Sequence, residues 1–229
     1  MKMDIQPQCA LCPHDWSERL CRGQHGKAPE SCPTARHQDF VQQSIEEVQS
    51  GSVCEFARQA SIQEAQGYDG REKGYGSVRP IKPRILEVVE FAKKMNYRRV
   101  ALAFCIGLRR EASIVHEIFE QHGLDVISIA CKVGAVPKEI LGLSRDQQID
   151  PGVAESMCNP ILQAGLANHY ESELNILLGL CVGHDSLFFK YATAPSTVLA
   201  VKDRLLGHNP LAAIYQHESY YRYLKSKGD

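Results

Sequence analysis

Four aliphatic runs set between stretches of helical periodicity predict an α/β fold with a mainly parallel, Rossmann-like sheet and flanking helices. The runs are 99–105 (RVALAFC), 125–131 (DVISIAC), 174–181 (LNILLGLC) and 197–202 (TVLAVK). A second observation concerns cysteine: there are nine, and four of them (Cys9, Cys12, Cys21 and Cys32) fall in a short polar stretch ahead of the sheet. A third is that Cys105, Cys131 and Cys181 close three of the aliphatic runs, so parallel neighbours would bring these thiols to one sheet edge.

The chain reads as three parts. Residues 1–33 form a small Cys-rich metal-binding module with few large aliphatics, which something other than an apolar core must order. Residues 34–80 form a helical segment and linker. Phe40, Val41, Ile45 and Val48, then Val53, Phe56, Ala57 and Ala60, recur at helical spacing around a Ser50-Gly51-Ser52 break. The Gly-rich stretch from 67 to 80 reads as an exposed connection. Residues 81–229 form the α/β domain. Ile85, Val88, Val89 and Ala92 make an apolar helical stripe, and a helix near 111–121, stopped by Gly123, joins the first two strands in a right-handed crossover. A helix over 160–170 leads into the third strand, and one near 186–191 precedes the fourth. The closing segment, Tyr215 to Tyr223, reads as a terminal helix with its tyrosines packed on the body.

Composition narrows the functional classes. A 44% hydrophobic and 23% charged chain is ordinary for a globular protein, and a net charge of −1 supplies no basic field for nucleic acid or anionic membrane. No apolar run is long enough to span a bilayer and the first residues do not read as a signal peptide, so a cytoplasmic setting is expected. There disulfides are disfavoured, and clustered cysteines point to metal or catalysis. No P-loop, H-E-x-x-H, Ser-His-Asp order or G-x-G-x-x-G fingerprint is present.

The N-terminal run is Cys9-x2-Cys12-x8-Cys21-x10-Cys32-Pro33. Thiolates are strong ligands, and four can close around Zn2+ or hold an iron–sulfur cluster, the latter slightly favoured by the terminal Cys-Pro. His14, His25 and His37 are possible substitutes for a sulfur. At the carboxyl edge of the sheet, where open α/β sheets bind ligands, Cys105, Cys131, Cys158, Cys181, His184 and His208 are the candidates for a second metal or cofactor site. Catalytic candidates are Cys158, Cys181, His184 and His208. Cys158-Asn159-Pro160 and His208-Asn209-Pro210 repeat one device: Asn as N-cap, Pro at the first helical position, and a reactive group displayed at the positive helix end. Arg109 and Arg110 are placed to receive a small anionic or thiol ligand, with surface pairing as the competing reading. Lys202, Asp203 and Arg204 line the same edge or solvate the loop. Cys54 reads as a buried apolar thiol in a helix.

Phe104-Cys105-Ile106-Gly107-Leu108, Cys131-Lys132-Val133-Gly134, Cys158-Asn159-Pro160-Ile161, Gly179-Leu180-Cys181-Val182-Gly183-His184-Asp185 and Val201-Lys202-Asp203-Arg204 through His208-Asn209-Pro210, with the N-terminal cysteines, resemble the DUF1847 family. The resemblance runs from about Cys9 to Tyr223. It implies metal binding and a prokaryotic, cytoplasmic protein, and names no reaction. Three readings follow: a metalloprotein with a second Cys/His site in possible redox use, a thiol-dependent transferase or oxidoreductase with only a structural N-terminal metal, and a non-enzymatic metal or redox sensor. A redox partner protein fits the first and third, and oligomeric state stays open.

Overall fold

With no side chain buried among the described residues up to 33, the cysteine-rich segment has no core of its own. The computed structural model describes residues 5–23 and 25–226 and divides into two compact units, Met1–Glu64 and Ala65–Asp229. The reading of the first residues as free of a signal peptide falls largely outside the described residues. In the first unit, three short 3-10 turns carry the chain past Cys9, Cys12 and Cys21. They are tied by a parallel bridge between Arg19 and Lys27, in which the Leu20 N–H donates to the Lys27 carbonyl at 2.9 Å. Gly26 allows this contact, because an added Cβ would lie 2.4 Å from the Arg19 backbone. Three helices follow, α1 (Pro33–Arg36), α2 (Gln38–Val48) and α3 (Gly51–Gln66), with the break near Ser50 where the sequence puts it. Cys54 lies in the exposed first turn of α3 and is itself exposed, which corrects its reading as a buried thiol.

The second unit opens with a two-stranded antiparallel pair, β1 (Tyr68–Asp69) and β2 (Arg79–Pro80), inside the segment expected to be only a connection. Arg79 and Asp69 pair across it at 2.7 Å. Then come α4 (Arg84–Lys94), β3 (Arg99–Phe104), α5 (Arg109–Gln121), β4 (Asp125–Ala130), α6 (Pro160–His169), β5 (Leu174–Leu178), α7 (His184–Tyr191), β6 (Ser196–Ala200) and α8 (Leu211–Tyr215). The four long strands make one parallel sheet in the order β4-β3-β5-β6. This is the α/β fold that the aliphatic runs predict.

Period-two alternation along β3 sorts the core into two layers. Val100, Leu102 and Phe104 face α4 and α5, packing with Val88, Val89, Val115 and Phe119. Ala101 and Ala103 point the other way, onto Ala164 and Ala167 of α6 and Phe188 of α7. Small residues on both sides let α6 approach the sheet closely. Helix α6 also supplies Gln163, fully buried, whose Nε2 donates to the carbonyls of Ile129 (2.7 Å) and Phe104 (3.3 Å). One side chain thereby holds the carboxyl ends of β3 and β4 together.

The terminal helix is not formed as expected. Helix α8 ends at Tyr215, the next residues make turns, and Tyr215, Tyr220 and Tyr223 are exposed. Aromatics at 215, 220, 221 and 223 do not fall on one face of a 3.6-residue repeat, and the Ser219 hydroxyl bonds back to Gln216 in place of a helical partner.

Candidate thiol site

Strand order reverses at β3, whose successor β4 lies on one side and whose other neighbour β5 lies on the opposite side. A crevice opens beyond the carboxyl ends of strands at such a point. Cys105 follows β3 directly and Cys131 follows β4 directly; each extends the ladder by one backbone bond, Cys105 N–H to the Leu178 carbonyl (3.0 Å) and Cys131 N–H to the Phe104 carbonyl (2.8 Å). The third run is broken earlier than its apolar residues indicate. Strand β5 stops at Leu178 because Gly179 takes a left-handed conformation (φ 65°), and a Cβ there would lie 2.2 Å from Leu108 Cδ1. The turn then places Cys181 before α7.

Cys158 arrives by a different route. The Asn159 N–H donates to the Cys131 carbonyl (2.8 Å), and the Asn159 side chain caps α6 by accepting from Leu162 N–H at 3.0 Å. The cap expected at 158–160 is therefore present, and it sets Cys158 at the N-terminal end of a ten-residue helix. The matching device at 208–210 is not built. Asn209 makes no side-chain cap, α8 spans five residues, and His208 Nδ1 is taken up locally by the Asp203 N–H at 3.1 Å.

Cys105, Cys131, Cys158 and Cys181 line one crevice of about 460 Å³, together with His184. His208 is absent from that lining. The sulfurs form a chain: Cys158 Sγ is 3.7 Å from Cys131 Sγ, Cys131 accepts the Ile106 N–H at 3.3 Å, and Cys105 is hydrogen-bonded to Cys131. At the far side Arg204 donates to Cys181 Sγ at 3.0 Å, and the Lys202 side chain also lines the crevice. Sequence reasoning missed Lys132 and Lys138, which also line the crevice but are engaged, Lys132 with the Ser156 carbonyl and Lys138 with Glu155. Apolar residues of the 133–157 segment, Leu141, Leu143, Ile149 and Met157, form one wall. Arg109 and Arg110 are exposed and line a separate open shelf that meets the crevice at Ile106 and Gly107.

These contacts separate the thiols electrostatically. The hydrogen bond shared with Cys131, aided by the Lys132 charge against the opposing effect of burial, draws Cys158 down to about 7. Cys105 goes the other way, to about 12, because its hydrogen bond with Cys131 and its burial favour the neutral thiol. The Cys105 bond pulls Cys131 down, but the bond to Cys158 and burial outweigh it and leave Cys131 raised. Burial lowers His184, so its imidazole is neutral near pH 7, and its buried Nδ1 has no hydrogen-bond partner among the described residues.

In the first unit Cys9, Cys12, Cys21 and Cys32 line one cavity of about 60 Å³, while His14, His25 and His37 do not. The donor set is that of a thiophilic ion or cluster. Among the described residues, however, no three His, Cys, Asp or Glu side chains are grouped as a metal site requires. All nine cysteines are free thiols.

Fold and crevice together define an open-sheet α/β protein with a thiol-lined cleft at its switch point. Residues 32–199 match the model of DUF1847, described as a protein of unknown function, and the chain belongs to that family. The match includes Cys32, all four crevice thiols and His184, and ends before Lys202 and Arg204. An uncharacterized protein of Methanocaldococcus jannaschii is 40% identical over 177 residues, 77% of this chain and 84% of that protein. Among the described residues, no helix is long and apolar enough to cross a membrane.

Proposed function

We propose that the crevice performs thiol–disulfide chemistry, with Cys158 as nucleophile and Cys131 as resolving thiol. The observation that carries this reading is the 3.7 Å separation of their sulfurs inside an accessible crevice. A thiolate at the end of a helix N-terminus, poised near neutral pH, is the attacking species such chemistry needs. Cys105 holds its proton throughout and supports Cys131 by hydrogen bonding. Neutral His184 accepts a proton at the crevice wall. Controlled oxidation followed by non-reducing peptide mapping tests the assignment: a Cys131–Cys158 link is expected, and a different pairing or persistent free thiols would remove it.

A second reading concerns the N-terminal module and rests on its four thiols lining one cavity. There a zinc ion or iron–sulfur cluster would order a segment without a core, drawing the thiols together as it binds. Anaerobic purification with iron, zinc and acid-labile sulfide counted per chain tests it. Metal lost in a Cys9→Ser/Cys12→Ser variant is the expected result; metal retained there but lost in Cys131→Ser/Cys158→Ser would move the site into the crevice and contradict the dithiol reading.

A further inference from the structure

The crevice is charged on one side only. Among the described residues, four cations line it (Lys132, Lys138, Lys202 and Arg204) and no carboxylate does. Two are already engaged by Ser156 and Glu155. Lys202 and Arg204 are different: Arg204 meets the Cys181 thiol, Lys202 lies on the Cys105 side of the crevice, and among the described residues neither is paired with a carboxylate. Lys202 is half-buried and Arg204 exposed, so both cations can meet an anion that enters the cleft. The whole chain carries a net charge of −1, so this positive field is local to the cleft.

Resting on the dithiol reading above, we propose that the crevice takes a small anionic disulfide, whose acid group is held by Lys202 and Arg204 while its sulfur–sulfur bond meets Cys158. The shelf at Arg109 and Arg110, expected from sequence to receive the anion, lies outside the thiol crevice. The Cys158 thiolate attacks one substrate sulfur, forming a mixed disulfide and releasing the first thiolate. Cys131 gives up its proton and attacks the Cys158 sulfur, which breaks the mixed disulfide and releases the second thiolate. The substrate gains two electrons, the two released thiolates take up one proton from Cys131 and one from water, and the protein is left with a Cys131–Cys158 disulfide. For that bond the sulfurs close from 3.7 Å to about 2.05 Å.

The test is a single-turnover reaction of the reduced full-length protein with three symmetrical disulfides: dithiodiglycolate (anionic), bis(2-hydroxyethyl) disulfide (neutral) and cystamine (cationic). Mass spectrometry follows formation of the Cys131–Cys158 link, and each rate is normalised to that of a free neutral thiol with the same disulfide, which removes leaving-group differences. The anionic compound is expected to exceed the cationic one by at least about tenfold, a preference that weakens with salt and falls toward parity in Lys202→Gln/Arg204→Gln. Equal normalised rates for all three would overturn the anion assignment and leave the dithiol intact. A preference that survives in the double variant would overturn the role of Lys202 and Arg204. If none of the three forms the link, the dithiol reading itself fails.

Discussion

For Cys105, Cys131 and Cys158, hydrogen bonding shifts ionisation as much as burial does. The hydrogen bond shared with Cys131 favours the Cys158 thiolate, while Cys105 is held as the neutral acid. Sequence reasoning placed Cys105, Cys131 and Cys181 at one edge because strand periodicity alone does so. It brought Cys158 to a helix start because Asn-Pro is legible as a cap. It could not order the four by reactivity, which depends on contacts between loops far apart in sequence. Gln163 was invisible for the same reason: a glutamine in a helix between Leu162 and Ala164 carries no local sign that it binds two strand-end carbonyls. Gln163→Leu, which keeps the volume and removes both donors, is expected to lower stability by about 1–3 kcal/mol in urea unfolding. A loss confined to a few tenths would mean that the carbonyls find other partners.

Elements show the same division between local and non-local information. All four strands and the helices between them were legible from apolar spacing, within one to three residues at their ends. Strand β5 stopped early because of a left-handed glycine, and the terminal helix failed because its tyrosines lack a common face. Two substitutions separate these effects. Gly179→Ala forces a left-handed alanine and a collision with Leu108, and should cost roughly 2–4 kcal/mol while displacing Cys181. Gly165→Ala, on the exposed side of α6 with open space at its Cβ, should add roughly 0.5–1 kcal/mol. Thermal melts of the two variants would move in opposite directions. A neutral Gly179→Ala would show that the β5 turn can relax, and with it the placement of Cys181.

At the scale of the whole molecule, the two units hold chemically different thiol sets. The N-terminal four line a small cavity in a segment without buried side chains, which suits ligation; in the crevice Cys158 is drawn down to about 7 and Cys105 pushed up to about 12, which suits selective reaction. A cysteine count reads as "metal" for both, whereas the crevice thiols also carry hydrogen bonds from Ile106 and Arg204 and a Cys131–Cys158 contact. The reactivity of Cys158 is read out by iodoacetamide labelling of the reduced protein from pH 5 to 9, resolved by peptide mass spectrometry. The Cys158 rate should rise with pH, reach half its plateau near pH 7 and level off above it, while Cys105 stays unlabelled across the range because it remains a thiol. Equal labelling of the two, or a Cys158 midpoint at or above the ordinary thiol value of about 8.5, would contradict the account.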